Sequence, residues 1–419
     1  MRCLCYAALF ALVGRIDARE CSSVTKSFER AFAARGIVNG GVFHAFFSYP
    51  GAPNNGLVKG LSLSSSSSNK RLLSVPSVSA LRTTERDASK SPLPGVSDEL
   101  WKQFKITTRL SLLLLTEWQK GSSSSFADYI ALIEEEPRCT PLNWDAESLS
   151  VLKSAYPSMA AAVEKQSGDY KKLYGLLQPY VGPRGVSYDR FVWSMEAVRS
   201  RAFQGLGGAD GDSGSNFIAR AAAAGAVVLG SFALVSSGTN LPGGELLPMA
   251  LATAASLSLL PAVLQARTES CVLLPGIDSA NHHSQLLNSV VDFDPSLPAF
   301  VLSARGSIAA GSEVLISYGN RDNDDLLQYF GFVEADNPWD LHKTLLPGGS
   351  ALTVTKRERA TWVVPQDVDD EEIKRVLTAQ LALLSSSAPP VSASFGPLLG
   401  LFLEEKRAVL QKALGLLSQ

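Results

Sequence analysis

Residues Cys271 to Phe332 read CVLLPGIDSANHHSQLLNSVVDFDPSLPAFVLSARGSIAAGSEVLISYGNRDNDDLLQYFGF, and three polar signals stand out against strand-like and loop-like sequence. A short apolar run leads into Asp278-x-x-Asn281-His282. Two β-rich segments then flank a Gly-bearing turn, the second ending at Ile316-Ser317-Tyr318-Gly319. Asn323 to Leu327 and the pair Gly331-Phe332 close the stretch.

The whole-chain totals narrow what surrounds it. A chain of 419 residues that is 46% hydrophobic can bury one large core and a smaller lobe, in one to three domains. Lysine and arginine number 38 against 40 aspartate and glutamate, a net charge of -2, so there is no basic footprint for nucleic acid. The five cysteines (Cys3, Cys5, Cys21, Cys139, Cys271) form no CxxC and no paired metal spacing. That pattern speaks against a disulfide framework or a zinc site and for reduced thiols.

Alone, an Asn-His dipeptide carries little weight; in order with Gly-x-Glu-Val (Gly311 to Val314), Ile-Ser-Tyr-Gly, the Asn323 helix start and Gly-Phe, it carries much more. At these residues the chain resembles the SET-domain protein methyltransferases, in particular the Rubisco large-subunit lysine methyltransferase-like branch. Other SET branches follow the catalytic tyrosine with a cysteine-rich zinc segment, and none follows Tyr318. The resemblance implies an α+β fold: a β-rich SET core with an internal helical insert and a small C-terminal helical lobe. It also implies S-adenosyl-L-methionine as cofactor, a protein substrate, and methyl transfer to a lysine side-chain amine.

The same resemblance assigns roles. Tyr318 matches the catalytic tyrosine. Asn281 and His282 match the pair that holds the two ends of the cofactor, and Asp278 with Ser279 matches the acid before it. Gly56 and Leu57 match a glycine-rich turn that approaches the cofactor, with Asn54 and Asn55 in place of the more usual glycine or charged residue. Arg201, in Ser-Arg-Ala-Phe, matches an arginine near the cofactor and substrate cleft; its other reading is a surface arginine paired with an acid. Phe330 stands where the family more often has a tyrosine in contact with substrate, and Tyr329 lies one position earlier. For Arg321 the ordinary reading is a loop salt bridge, for His283 a solvent-facing side chain, and for Tyr129, Trp144 and Trp193 core anchors.

Methyl transfer to an amine is an in-line displacement that needs alignment, desolvation and oxygen atoms around the sulfonium, and no metal. Desolvation also favours the neutral lysine amine.

Around the core, residues 1–24 read as a targeting leader and 25–332 as the SET domain. Within it, Ser27 to Gly36 reads as a short helix, Ser64 to Ser68 as a flexible loop, and 98–203 as the helical insert. Residues 204–270 have no counterpart in the family picture. They contain two uncharged apolar runs, 221–238 and 246–266, split by a turn and flanked by Arg220 and Arg267. Each is close to the roughly 20 residues needed to cross a bilayer, so a membrane hairpin and a packed helical pair are both readings. Residues 333–419 read as an abbreviated helical lobe resembling a substrate-binding lobe, with Ile373, Val376, Leu377, Leu381 and Leu384 on one helix face. A plastid address suits the resemblance, with the secretory pathway and the cytoplasm as alternatives. The leading function is a protein-lysine N-methyltransferase, with histidine N-methylation as its chemical neighbour. A non-catalytic SET-fold binding module, tethered to a membrane, is the alternative of a different class.

Overall fold

The computed structural model describes residues 35–52, 56–68, 70–85, 89–206, 270–346, 351–356, 362–363, 369–387, 389 and 394–418. The expected leader, most of the Ser27 to Gly36 helix, Asn54 and Asn55, and both apolar runs lie outside them. Among the described residues no helix is long and apolar enough to cross a membrane.

Two four-stranded sheets form the centre. In the first, β1 (Val38–Asn39), β5 (Arg71–Pro76), β11 (Ala299–Ala304) and β10 (Ser289–Asp294) lie side by side. In the second the order is β2 (Val42–Ser48), β3 (Leu57–Leu63), β13 (Glu313–Ile316) and β9 (Asn281–His282). Alternating apolar residues from the two sheets, among them Leu61, Leu63, Leu73, Val75, Phe300, Leu302, Val314 and Ile316, share one core. Ser67 and Ser68 form a short strand, β4, paired with β12 (Ser307–Ile308), so the serine run is not wholly loop.

A third sheet joins β6 (Leu81–Thr84), β8 (Ser270–Leu273) and β7 (Phe203–Gln204). Gln204 pairs with Cys271, and Gly205 N donates to Ser270 O at 3.0 Å. The two ends of the 204–270 segment are therefore neighbours in one sheet.

Between β6 and β7 run α1 (Asp98–Gln103), α2 (Ile106–Gln119), α3 (Ala127–Glu134), α4 (Ala146–Ala155), α5 (Pro157–Val181) and α6 (Tyr188–Arg201). Their starts follow ordinary capping chemistry: Ser97, Asp145 and Ser187 each accept the backbone N–H three residues on. Trp193 packs with Leu110, Leu114 and Tyr129 in one apolar cluster, whereas Trp144 stacks on Phe395 of the tail.

α7 (Asn323–Asp325) is capped by Asp322 and continues into a single π turn, Leu326–Phe330. A π turn displaces the side chains beyond it from α-helical positions. Gly331 ends it at φ +76°, where an added Cβ would lie 2.9 Å from the backbone of Cys139 and Thr140. The tail then adds β14 (Leu341–Leu345), β15 (Ala351–Thr355) and β16 (Trp362–Val363), a three-stranded sheet absent from the sequence reading. It ends with α8 (Asp370–Ser386) and α9 (Gly396–Leu417). Ile373, Leu377 and Leu384 are buried on α8, and the tail shares its core with α4 and α5.

Candidate active site

A cavity of about 460 Å³ opens where the second central sheet, the helical insert and the tail meet. Leu57, Arg201, Asp278, Ser279, Asn281, His282, Tyr318 and Phe330 all line it; Gly56 does not. Gly56 instead sits at φ +81° in the turn between β2 and β3, where its carbonyl accepts from Tyr49 N at 2.8 Å.

The short parallel pairing of β9 with β13 builds the floor, placing Asn281 opposite Leu315 and His282 opposite Ile316. Asn281 Nδ2 donates to Glu313 Oε1 at 2.7 Å and to Lys59 O at 3.2 Å. This approach is open because residue 60 is glycine: a Cβ there would lie 2.6 Å from Asn281 Nδ2. Glu313 also accepts from the Tyr49 hydroxyl at 2.9 Å. Burial raises the Glu313 carboxyl above its ordinary value, against the hydrogen bonds from Asn281 and Tyr49.

His282 is buried, and its Nδ1 accepts the backbone N–H of Tyr318 at 3.0 Å. Nε2 lies 3.4 Å from Glu334 Oε2. Glu334 accepts from Ser284 N and Oγ at 2.8 and 2.7 Å and pairs with His283 Nδ1 at 3.0 Å. His283 is therefore held by an acid rather than free in solvent. Burial pushes Glu334 up, but His282, His283 and Ser284 outweigh it and hold the carboxyl well below the usual range.

Tyr318 points its hydroxyl at Ala280 O, 2.8 Å away. Its ring stacks on His282 and on Phe330, both at 5.1 Å between centroids, and meets Phe332 edge-on at 6.4 Å. Loss of water raises the phenol above its ordinary value, so Tyr318 stays a neutral donor. Tyr329, one residue before Phe330, faces away and stacks under Arg199. Arg321 pairs with Asp325 at 3.3 Å.

Asp278 is buried and accepts from the Tyr129 hydroxyl through Oδ2, while Oδ1 has no partner. Burial raises its carboxyl, opposed by Arg201. Tyr129 is thus both a core anchor and the residue that holds this acid. Arg201 Nη1 donates to Asp278 O at 3.2 Å, and Nη2 pairs with Glu136. Arg201 is paired with an acid, as one sequence reading had it, but in the cavity and largely buried rather than at the surface.

Among the lining residues that had no site role from sequence are Tyr49, Lys59, Glu136 and Phe332, and Trp193, read as a core anchor, lines the cavity as well. Phe332 was present in the Gly-Phe signal and Lys59 stands shortly after Gly56 in β3, but nothing local marked Glu136.

No protein-family model matches the chain, and no curated protein matches it. Solved structures do. The SET domain of LSMT bound to lysine and AdoHcy superposes with a TM-score of 0.58 at 15% identity, covering 95% of this chain and 91% of that one. Rubisco LSMT bound to sinefungin and monomethyllysine gives 0.57 at 16%, covering 94% and 92%. Rubisco LSMT bound to AdoMet gives 0.58 at 14%, covering 94% and 92%. The chain has the SET-domain fold of these proteins, an α+β architecture.

Proposed function

We propose that the chain is an S-adenosylmethionine-dependent protein-lysine N-methyltransferase. The observation that carries this reading is the Tyr318 hydroxyl, aimed at Ala280 O beside an aromatic wall of His282, Phe330 and Phe332. The structures that share the fold were solved with AdoMet, AdoHcy or sinefungin, and two of them with lysine or monomethyllysine.

The cavity suits this cofactor on its own terms. Its volume falls within the roughly 300–1,000 Å³ of small-molecule sites. Asp278 lines the cavity, and its Oδ1, buried without a partner, is an acceptor available to a donor that the protein does not supply. Asn281, His282, Leu57 and Ser279 would hold the cofactor, with Asp278 accepting from it or from the substrate amine.

When bound, the cofactor supplies an electrophilic methyl group on a sulfonium leaving group. Tyr318 and the Ala280 carbonyl present fixed oxygens to that positive centre, an electrostatic arrangement that needs no reorganisation during the reaction. A protonated phenol cannot act as the base; the substrate ammonium must shed its proton to water before attack. The packed rings of Tyr318, Phe330 and Phe332 favour that loss, because a water-poor wall disfavours the charged amine. Phe330 in place of a hydroxylated residue leaves Tyr318 as the phenol of this wall.

Incorporation of labelled methyl from S-adenosylmethionine into lysine residues of protein fractions tests the proposal. Label dependent on the Tyr318 hydroxyl supports it. A folded protein that labels nothing across such fractions while binding the cofactor would instead favour the non-catalytic SET-fold module.

A further inference from the structure

The carboxylate of Glu136 sits between two cations inside the cavity. Lys59 Nζ lies 3.1 Å from Glu136 Oε1, and Arg201 Nη2 pairs with Glu136 Oε2. The three come from separate elements: Lys59 from β3, Arg201 from the last turn of α6, and Glu136 from the chain just beyond α3. The two cations are the deeper pair, 13% exposed each, whereas Glu136 is 27% exposed and has water on one side to retreat to.

This seat adjoins the candidate cofactor floor. The carbonyl of Lys59 itself accepts from Asn281 Nδ2, and Arg201 holds the carbonyl of Asp278. Two neighbouring cations withdrawn from water repel each other and need an anion between them. Burial first, then Arg201, lowers the Lys59 amine to about 8, against the attraction of Glu135 and Asp278. In the free protein Glu136 supplies the anion. S-adenosylmethionine carries one carboxylate, at its amino-acid end.

We propose that Lys59 and Arg201 form a joint carboxylate seat for the amino-acid end of the cofactor, and that Glu136 is its resident occupant, displaced when the cofactor binds. The inference rests on the reading of this cavity as an S-adenosylmethionine site. Glu136 then weakens apparent affinity by the fraction of molecules in which it fills the seat. Lys59 confers selectivity for a ligand with a free carboxylate.

The experiment is calorimetric titration of the full chain with S-adenosylmethionine and with decarboxylated S-adenosylmethionine, which differs by that one group. Lys59→Met is expected to weaken binding of the first by about tenfold or more, the scale of a lost charge-assisted hydrogen bond, and to leave the second unchanged. Glu136→Gln is expected to tighten the first several-fold. Lys59→Arg, which keeps the charge, is expected to restore most of the loss and guards against a variant that merely folds poorly. Equal weakening of both ligands in Lys59→Met, or weaker S-adenosylmethionine binding in Glu136→Gln, would overturn the seat while leaving the cofactor reading standing. A folded wild-type protein that binds neither ligand would overturn the cofactor reading and the seat with it.

Discussion

The hydroxyl of Tyr318 donates to the carbonyl of Ala280 at 2.8 Å, joining the end of β13 to the residue just before Asn281. One hydrogen bond thus ties the candidate catalytic phenol to the strand that floors the candidate cofactor site. Tyr318→Phe keeps the ring, its stacking on His282 and Phe330, and the volume of the wall, and removes only the oxygen. Turnover is expected to fall by about a hundredfold or more, the scale seen when one preorganised polar group is lost. Cofactor affinity is expected to stay within a few-fold. Single-turnover rates and calorimetry on the same preparation check the split.

Gly60→Ala acts on the floor without removing any polar group. The new Cβ would lie 2.6 Å from Asn281 Nδ2 and 2.7 Å from Glu313 Oε1, so Asn281 must leave its place. Cofactor binding is expected to weaken to the level of Asn281→Ala, while the double variant is no worse than either single one. Additive losses in that cycle would show that the two residues act separately.

The Glu334 carboxyl, held low by its histidine and serine neighbours, links stability to acid pH. A depressed folded-state value means the stabilisation is complete above the ordinary value for the unfolded chain, near 4.5, and is lost as pH falls below it toward the folded value. Glu334→Gln is therefore expected to be less stable than the wild type by about 2 kcal/mol at pH 7, with the gap closing below pH 4.5. Urea unfolding at pH 7, 5 and 3.5 measures it; a gap independent of pH would contradict the assignment.

Lys406 on α9 is wholly buried, 2.6 Å from Asp340 Oδ1 and 2.7 Å from Asp324 Oδ1. Burial opposes its charge, but Asp324 and Asp340 outweigh burial and hold the amine above its ordinary value. Asp340 also binds Asn323 N and Nδ2 at 3.0 and 3.1 Å, and Asn323 exchanges hydrogen bonds with the backbone of Glu334. Lys406→Met leaves two buried carboxylates uncompensated and is expected to cost about 3–5 kcal/mol. Chemical denaturation gives the value, and hydrogen exchange should show lost protection at Leu326 to Phe330 as well as in the tail. Protection lost in the tail alone would show that the network does not hold the π turn.

What sequence disclosed divides along physical lines. Asn281, His282 and Tyr318 stood in an ordered series of local signals, and the structure brings them to one cavity. The amphipathic face of α8 was readable from spacing, because a helix fixes which residues share a side. Lys59 and Glu136 are 77 residues apart, and Lys406 reaches Asp324 across 82; no periodicity marks such pairs. The strands β14 to β16 went unseen because they are short: even the alternation of Leu352 and Val354 in β15 spans too few residues to stand out from loop. His283 was expected in solvent, yet Glu334 claims it, a contact made 51 residues later in the chain.

The most direct measurement is calorimetric titration of S-adenosylmethionine into the full-length chain, repeated with Asn281→Ala. Saturable one-to-one binding by the wild type, strongly weakened in a variant that unfolds at a comparable denaturant concentration, is the expected result. A folded wild-type protein that takes up no S-adenosylmethionine would contradict a methyltransferase site in this cavity.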